Sequence, residues 1–173
     1  MPKTINITWE NVEECIDVIH NQIDETNINY IVALTRGGWI PAVLLSQKTG
    51  IKPLPFDIHV TKDDSANSEM HKPVLGHNID FTIVKNKNLL ILDDIADSGI
   101  SLDRARRELE KFKPANIKTA ACYINTERFK SEFKKPDVIG KPTTDWIVFP
   151  WEQTAQKLKT VKPNTTIATQ ILS

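Results

Sequence analysis

The sequence contains few cysteines and histidines, the residues that form disulfides and metal sites in small proteins. Only two cysteines, Cys15 and Cys122, occur in 173 residues. Both lie in apolar patterns, which predicts small core side chains and not a disulfide or a metal pair. The four histidines show no zinc spacing. We therefore expect a protein of a reducing compartment, the cytoplasm.

The chain also has no excess of charge and no long apolar run. Its 22 basic residues balance its 22 acidic ones, and no block of like charge suggests a nucleic-acid surface or a charged tail. No apolar run approaches the ~20 residues that a membrane helix needs, and the first residues lack the apolar core of a signal peptide. Neither nucleic acid nor membrane is therefore an expected partner.

Two glycine-rich nucleotide-binding motifs are absent as well. Neither Gly-x-x-x-x-Gly-Lys-Ser/Thr nor Gly-x-Gly-x-x-Gly occurs. The run that begins at Asp93 does not fit a calcium-binding loop either. Its alternate positions are Asp93, Ile95, Asp97 and Gly99, and the second of them, Ile95, has no side-chain oxygen to bind the ion. The acidic run that begins at Asp93 needs another explanation.

The apolar residues alternate between strand and helix patterns. We predict strands at 30–34, 54–60, 89–92, 117–124 and 146–149. One helix should begin after Thr8 and end near Asn27, one should cover 39–47 and stop at Gly50, and one should follow Ile100. This alternation predicts an α/β fold, with a mostly parallel central sheet flanked by helices, in a single domain over residues 1–173. The polar stretch 61–80 predicts a long loop, which is uncommon unless it works as a lid or binding element.

The most informative run is 88–102. Residues 89–92 predict a buried strand and the segment after Ile100 a helix. Between them lie Asp93, Asp94 and Asp97, together with a glycine and two hydroxyl groups. Backbone N–H groups and the helix dipole at such a corner suit a phosphate, while adjacent aspartates suit sugar hydroxyls or a hydrated Mg²⁺. The predicted ligand is a sugar phosphate.

This run closely resembles the 5-phosphoribosyl-1-pyrophosphate (PRPP) signature of type I phosphoribosyltransferases. That signature is an apolar strand, two acids, two spacers, Asp, Ser/Thr, Gly, any residue and Ser/Thr, and every position is filled here. Residues 32–42 resemble the pyrophosphate loop of the xanthine/guanine branch, and residues 145–152 are similar to its base-binding segment. The resemblance covers about 31–152 and implies the type I fold with a small hood, the base-binding part of which is about 125–152.

The resemblance also implies roles for individual residues. Asp93 and Asp94 hold the ribose hydroxyls, directly or through water on Mg²⁺, the expected cofactor. Asp97 faces the base and takes its N7 proton as a general base. The peptide after Thr35 is expected to be cis. The full set of expected PRPP contacts is Thr35, Arg36, Gly37, Asp93, Asp94, Ala96, Asp97, Ser98, Gly99, Ile100 and Ser101.

The expected base site consists of Trp146, Ile147 and Asn125. Trp146 offers a ring for stacking, and the Ile147 backbone can read the edge of the base. Members of the xanthine/guanine branch carry a lysine after the penultimate strand, where this chain has Asn125. Its amide can donate or accept, so Asn125 could face a 6-oxo or a 6-amino group. Trp151 and Glu152 match the family string without an assigned role.

We therefore predict a purine phosphoribosyltransferase of salvage that converts PRPP and a base to a nucleoside 5′-monophosphate and pyrophosphate. The 6-oxopurines xanthine, guanine and hypoxanthine are favoured. Transfer to adenine or another nucleobase is one alternative, and a PRPP-sensing regulatory protein is an alternative of another class. The resemblance further implies a homodimer or homotetramer.

Overall fold

The structure, a computed structural model, describes residues 3–57 and 80–153. The segment 61–80, expected to form a lid, lies outside the described residues apart from Asp80. The helices within these residues are α1 (Trp9–His20), α2 (Trp39–Thr49) and α3 (Ile100–Glu110). The strands are β1 (Thr4–Asn6), β2 (Tyr30–Thr35), β3 (Lys52–Asp57), β4 (Asn88–Ala96), β5 (Asn116–Asn125), β6 (Val138–Thr143) and β7 (Trp146–Val148). Short 3₁₀ helices occupy Glu25–Asn27 and Phe81–Val84.

Five parallel strands form the central sheet in the order β3-β2-β4-β5-β6. Helices α1 and α2 cover one face, where Ile16 and Leu45 share a core with Ile31 and Leu90. Helix α3 covers the other face. Because both faces are buried, the middle strands are almost continuously apolar. The predicted α/β fold with a mostly parallel sheet is confirmed.

Helix α1 begins as predicted and ends earlier than predicted. The Thr8 hydroxyl accepts from the Asn11 N–H at 3.3 Å and the Asn11 side chain accepts from the Thr8 N–H at 3.2 Å, a reciprocal cap. The expected end near Asn27 is wrong, because the helix stops at His20. The chain beyond it is held by β4: the Asn27 and Asn29 side chains both accept from Asn88, at 2.7 and 2.8 Å.

Strand β4 is longer than predicted, and strands β6 and β1 are missing from the prediction. Strand β4 continues past residue 92 through Asp93, Asp94 and Ile95, paired with β5, so the two acids lie on the strand itself. Strand β6 contains Pro142, which is tolerated because β6 is an edge strand. Strand β1 pairs with β7 in a separate two-stranded sheet.

The expected end of helix α2 and the expected state of the two cysteines agree with the structure, and the strand expected at 54–60 is observed as Lys52–Asp57, with 58–60 outside the described residues. Helix α2 stops at Gly50, whose φ of 73° is left-handed. Cys15 and Cys122 are both buried and free. Within residues 3–57 and 80–153, no helix is long and apolar enough to cross a membrane.

Candidate active site

The centre of the candidate site is the carboxyl end of β4, in the middle of the sheet. The backbone N–H of Asp94 donates to the Asp93 carboxylate at 3.0 Å, and that of Ile95 donates to the Asp94 carboxylate at 2.8 Å. The turn after β2 lies directly against this pair, since a Cβ on Gly37 would overlap the Asp94 carboxylate. Only glycine fits there, so this contact joins the predicted pyrophosphate loop to the predicted ribose site.

Burial makes both carboxyl groups hard to ionise. Loss of solvent, with the neighbouring charge of Asp94 as a second cause, raises the pKa of Asp93 well above its usual range. Loss of solvent also raises the pKa of Asp94 to about 6, against the opposing hydrogen bond from the Ile95 N–H, and the charge of Glu152 contributes a smaller rise. A cation or hydroxyl donors beside the pair would relieve this cost.

A cavity of about 660 Å³ lies over the turn from β4 into α3. Gly99 caps α3 in the left-handed conformation, with φ of 88°. The rim includes Asp93, Ile95, Arg128 and Lys130. All six residues of the predicted phosphate loop border it, namely Ala96, Asp97, Ser98, Gly99, Ile100 and Ser101.

The segment 126–133 closes over this loop. The Lys130 N–H donates to the Ser98 carbonyl at 3.2 Å, and Arg128 Nη2 lies 2.9 Å from Asp97 Oδ2. A Cβ on Gly99 would come within 2.8 Å of the Phe129 ring. Sequence reasoning missed Arg128 and Lys130; the signal that could have found them is two cations placed just after a strand that ends at the same edge as β4.

A smaller cavity of about 210 Å³ lies beside the first. The three predicted base-binding residues, Asn125, Trp146 and Ile147, all border it, together with Asp97 and Ile95. Trp146 is 53% exposed, so it is a surface ring and not a core tryptophan. The guanidinium carbon of Arg128 lies 5.4 Å from the centroid of that ring. Ile95 was not predicted, because nothing in its local pattern distinguishes it from a core residue.

A third cavity, of about 440 Å³, is bordered by Asp94, which also borders the second cavity. Arg36, Gly37 and Glu152 border it, and the Thr35–Arg36 peptide is cis, as the resemblance implies. Thr35 borders none of these three cavities, because its hydroxyl donates to the Asp57 carboxylate on β3 at 3.2 Å.

The structure gives Trp151 and Glu152 a local role. The Glu152 carboxylate accepts from the Phe149 N–H at 2.9 Å, which closes the turn after β7. The Trp151 ring stacks on the Phe149 ring with centroids 4.6 Å apart. Both residues therefore shape the walls between the second and third cavities.

Comparison with known proteins agrees with this geometry. A family model described as "Phosphoribosyl transferase domain" matches residues 4–157. A xanthine-guanine phosphoribosyltransferase of Gluconobacter oxydans is 26% identical over 87% of this chain and 88% of its own length. One of Vibrio atlanticus is 25% identical over 84% and 87%.

A solved structure extends the comparison to three dimensions. The purine phosphoribosyltransferase from Pyrococcus horikoshii Ot3 superposes with a TM-score of 0.70 at 31% identity, over 86% of this chain and 94% of that one. The family match runs from β1 to beyond β7, and so takes in every segment that borders the three cavities. The chain belongs to the phosphoribosyl transferase domain family.

Proposed function

We propose that this protein transfers the 5-phosphoribosyl group of PRPP to a purine base in salvage, with 6-oxopurines favoured, and releases pyrophosphate. The observation that carries the proposal is the meeting of three cavities at one strand end. The first and second share Ile95 and Asp97, and the second and third share Asp94 and Glu152. The reaction needs this arrangement, because phosphate, base and pyrophosphate all approach one ribose ring.

The first cavity suits the 5′-phosphate. Backbone N–H groups at the start of α3 and the hydroxyls of Ser98 and Ser101 are the donors in this proposal. Arg128 and Lys130 add positive charge on the opposite wall. The third cavity suits pyrophosphate, since Arg36 offers a forked cationic donor there.

Asp93 and Asp94 would hold the ribose hydroxyls and Mg²⁺. In the part of the chain that the structure describes, no cluster of three or more acidic, histidine or cysteine side chains could hold a metal. Two adjacent carboxylates nevertheless fit Mg²⁺, which commonly takes one or two protein carboxylates and completes its shell with water and substrate phosphates. When bound, the ion would neutralise charge on the departing pyrophosphate.

The second cavity suits the base. A purine can stack on Trp146 while Asp97, on the same cavity, takes the N7 proton as a base nitrogen attacks the anomeric carbon. The bond from that carbon to pyrophosphate breaks in the same step. Arg128 Nη2 lies 2.9 Å from Asp97 Oδ2, and both residues also border the first cavity.

We further propose a homodimer or homotetramer in the cytoplasm, with PRPP and a nucleobase as partners. The family resemblance supports the assembly. The two buried free thiols, Cys15 and Cys122, are compatible with a reducing compartment.

Pyrophosphate release tests the proposal. The full chain is mixed with Mg²⁺, PRPP and, separately, xanthine, guanine, hypoxanthine, adenine and uracil. We expect release that depends on a purine base and is lost without one. Tight PRPP binding with no release for any base would overturn the enzymatic proposal and favour the PRPP-sensing alternative.

A further inference from the structure

Asn125 lies at the point where β5 ends, on the wall of the 210 Å³ cavity that also contains Trp146 and Asp97. Its side chain and backbone together are only 2% exposed. A polar side chain so buried normally has all its hydrogen-bonding atoms engaged. The partners of its amide group therefore show what it can still offer to a ligand.

The amide oxygen of Asn125 is fully committed to the turn that follows β5. It accepts from the backbone N–H of Glu127 and from that of Arg128, both at 3.1 Å. A reversed amide would set its NH₂ group against two N–H donors, so the orientation is fixed by the turn. The backbone carbonyl of Asn125 is engaged as well, because it accepts from the Phe129 N–H at 2.9 Å.

The amide nitrogen, in contrast, has no hydrogen-bond partner among residues 3–57 and 80–153. Across the same residues, no fully buried side-chain nitrogen or oxygen is left without a partner. Nδ2 is therefore not fully enclosed, and we infer that it is open toward the 210 Å³ cavity that Asn125 borders. The wall presents a donor that cannot become an acceptor.

We propose that Asn125 is the residue that selects 6-oxopurines over adenine. This inference rests on the proposed function, in which Asp97 takes the N7 proton. A purine carries N7 and its 6-substituent on one edge, so a base that meets Asp97 through N7 turns its 6-position toward the same wall of the cavity. A 6-oxo group accepts from Nδ2, whereas a 6-amino group faces it donor against donor.

The substitution Asn125→Asp tests this directly. One carboxylate oxygen still accepts from the Glu127 and Arg128 N–H groups, so the turn is retained, and the other replaces the donor with an acceptor. We expect the ratio of kcat/KM for hypoxanthine to that for adenine to fall by on the order of 100-fold or more. In Asn125→Ser the hydroxyl can hold the turn but does not extend to the base. This variant should lower the ratio of kcat/KM for hypoxanthine to that for adenine, but it should not invert the preference in favour of adenine.

Asn116→Asp is the matched control. It makes the same change at the exposed opposite end of β5 and should leave the ratio as in the parent. A parental ratio in Asn125→Asp, or a parent protein that prefers adenine, would overturn the inference while leaving phosphoribosyl transfer intact.

Calorimetric binding of inosine and adenosine 5′-monophosphates separates the two proposals, because it needs no turnover. We expect the parent to bind the inosine nucleotide more tightly and Asn125→Asp to lose that preference. If the protein shows this difference in nucleotide binding but releases no pyrophosphate, the role of Asn125 is retained and the proposed enzymatic activity is rejected. If the parent and Asn125→Asp show the same preference between the inosine and adenosine nucleotides, the role of Asn125 is rejected.

Discussion

Asp93 and Asp94 are two neighbouring half-buried acids, and each would cost less to bury as an amide. Their pKa values are raised by burial, with added repulsion from Asp94 on Asp93 and from Glu152 on Asp94. In the proposed site, the ribose hydroxyls and Mg²⁺ supply the donors and the positive charge that the protein itself does not provide. The ligand would therefore offset a cost that the free protein carries.

Asp94→Asn should accordingly weaken the binding of PRPP in the presence of Mg²⁺. Losing a charge-assisted hydrogen bond costs on the order of 1.5–3 kcal/mol, which calorimetry resolves easily. Asp103→Asn is the control, because Asp103 pairs with Arg107 on α3 and borders none of the three cavities. Unchanged PRPP affinity in the double Asp93→Asn, Asp94→Asn variant would remove the pair from the site.

Asp97→Asn should separate binding from chemistry. The side chain keeps its shape and loses the ability to take a proton, so we expect kcat to fall by ~10²–10⁴-fold with PRPP affinity close to that of the parent. Steady-state kinetics with hypoxanthine and calorimetry with PRPP give the two readings. A variant that keeps the parental turnover would exclude Asp97 as the general base.

A site residue can be predicted from the sequence when the other residues of the site lie close to it along the chain. The three acids, two hydroxyl groups and one glycine of this loop all fall within nine consecutive residues, 93–101, so the sequence alone points to an anion and a polyol. Arg128 and Lys130 join that run only through the fold, since the chain leaves β5 and returns over the phosphate loop. The orientation of the Asn125 amide depends on the turn geometry, which no residue pattern reveals.

At the scale of elements, the phosphate loop and the segment 126–133 form one connected unit. The Lys130 N–H bonds the Ser98 carbonyl, and the Phe129 ring leaves room for no side chain at Gly99. The shape of the loop that would receive the 5′-phosphate therefore depends on how this segment packs.

Gly99→Ala tests that dependence, with Gly50→Ala as its matched control. Both glycines have left-handed backbones, with φ of 88° and 73°, so both substitutions should cost about 1–2 kcal/mol of stability. A Cβ at Gly99 would also lie 2.8 Å from the Phe129 ring, whereas one at Gly50 would have no neighbour within 4 Å.

We expect both variants to lose stability in urea denaturation and only Gly99→Ala to lose PRPP affinity as well. An equal change of PRPP affinity in the two variants would mean that the contact with Phe129 does not shape the loop.

The elements that the sequence predicted are those with a local signal. Thr8 and Gly50 mark helix ends with their own side chain or backbone preference. Strand β6 lacks such a signal, because Gly140 and Pro142 interrupt its pattern. The sheet edge tolerates Pro142, and glycine fits at 140 because a Cβ there would overlap the Cys122 carbonyl oxygen on β5. The extension of β4 through Asp93 to Ala96 is likewise decided by pairing with β5, a contact distant in sequence.

At the scale of the whole molecule, the acidic pair should make stability depend on pH. The pKa of the Asp94 carboxyl is about 6 in the folded protein, against 3.8 for an aspartate in the unfolded chain. Between these values the folded state holds a proton that the unfolded state has lost, so stability falls as pH rises through this window. Above about pH 6 the full cost of the buried charge is present.

Asp94→Asn should therefore stabilise the ligand-free protein at pH 7.5. For a chain of this length 1 kcal/mol corresponds to about 2–4 °C in Tm, and we expect a rise of at least that size. The gain should shrink as pH falls toward 4, because the folded parent then keeps the Asp94 proton and carries no charge on that carboxyl. Thermal melts of parent and variant across pH 4–8 would contradict this if the variant were less stable at pH 7.5.

In the proposed reaction the three cavities meet at one ribose carbon, where the base replaces pyrophosphate. Its most direct test is to identify and count both products from PRPP, Mg²⁺ and hypoxanthine, by mass spectrometry for the nucleotide and an enzymatic assay for pyrophosphate. We predict inosine 5′-monophosphate and pyrophosphate in equal amounts. Pyrophosphate without the nucleotide, or neither product from a protein that binds PRPP, would rule out this reaction.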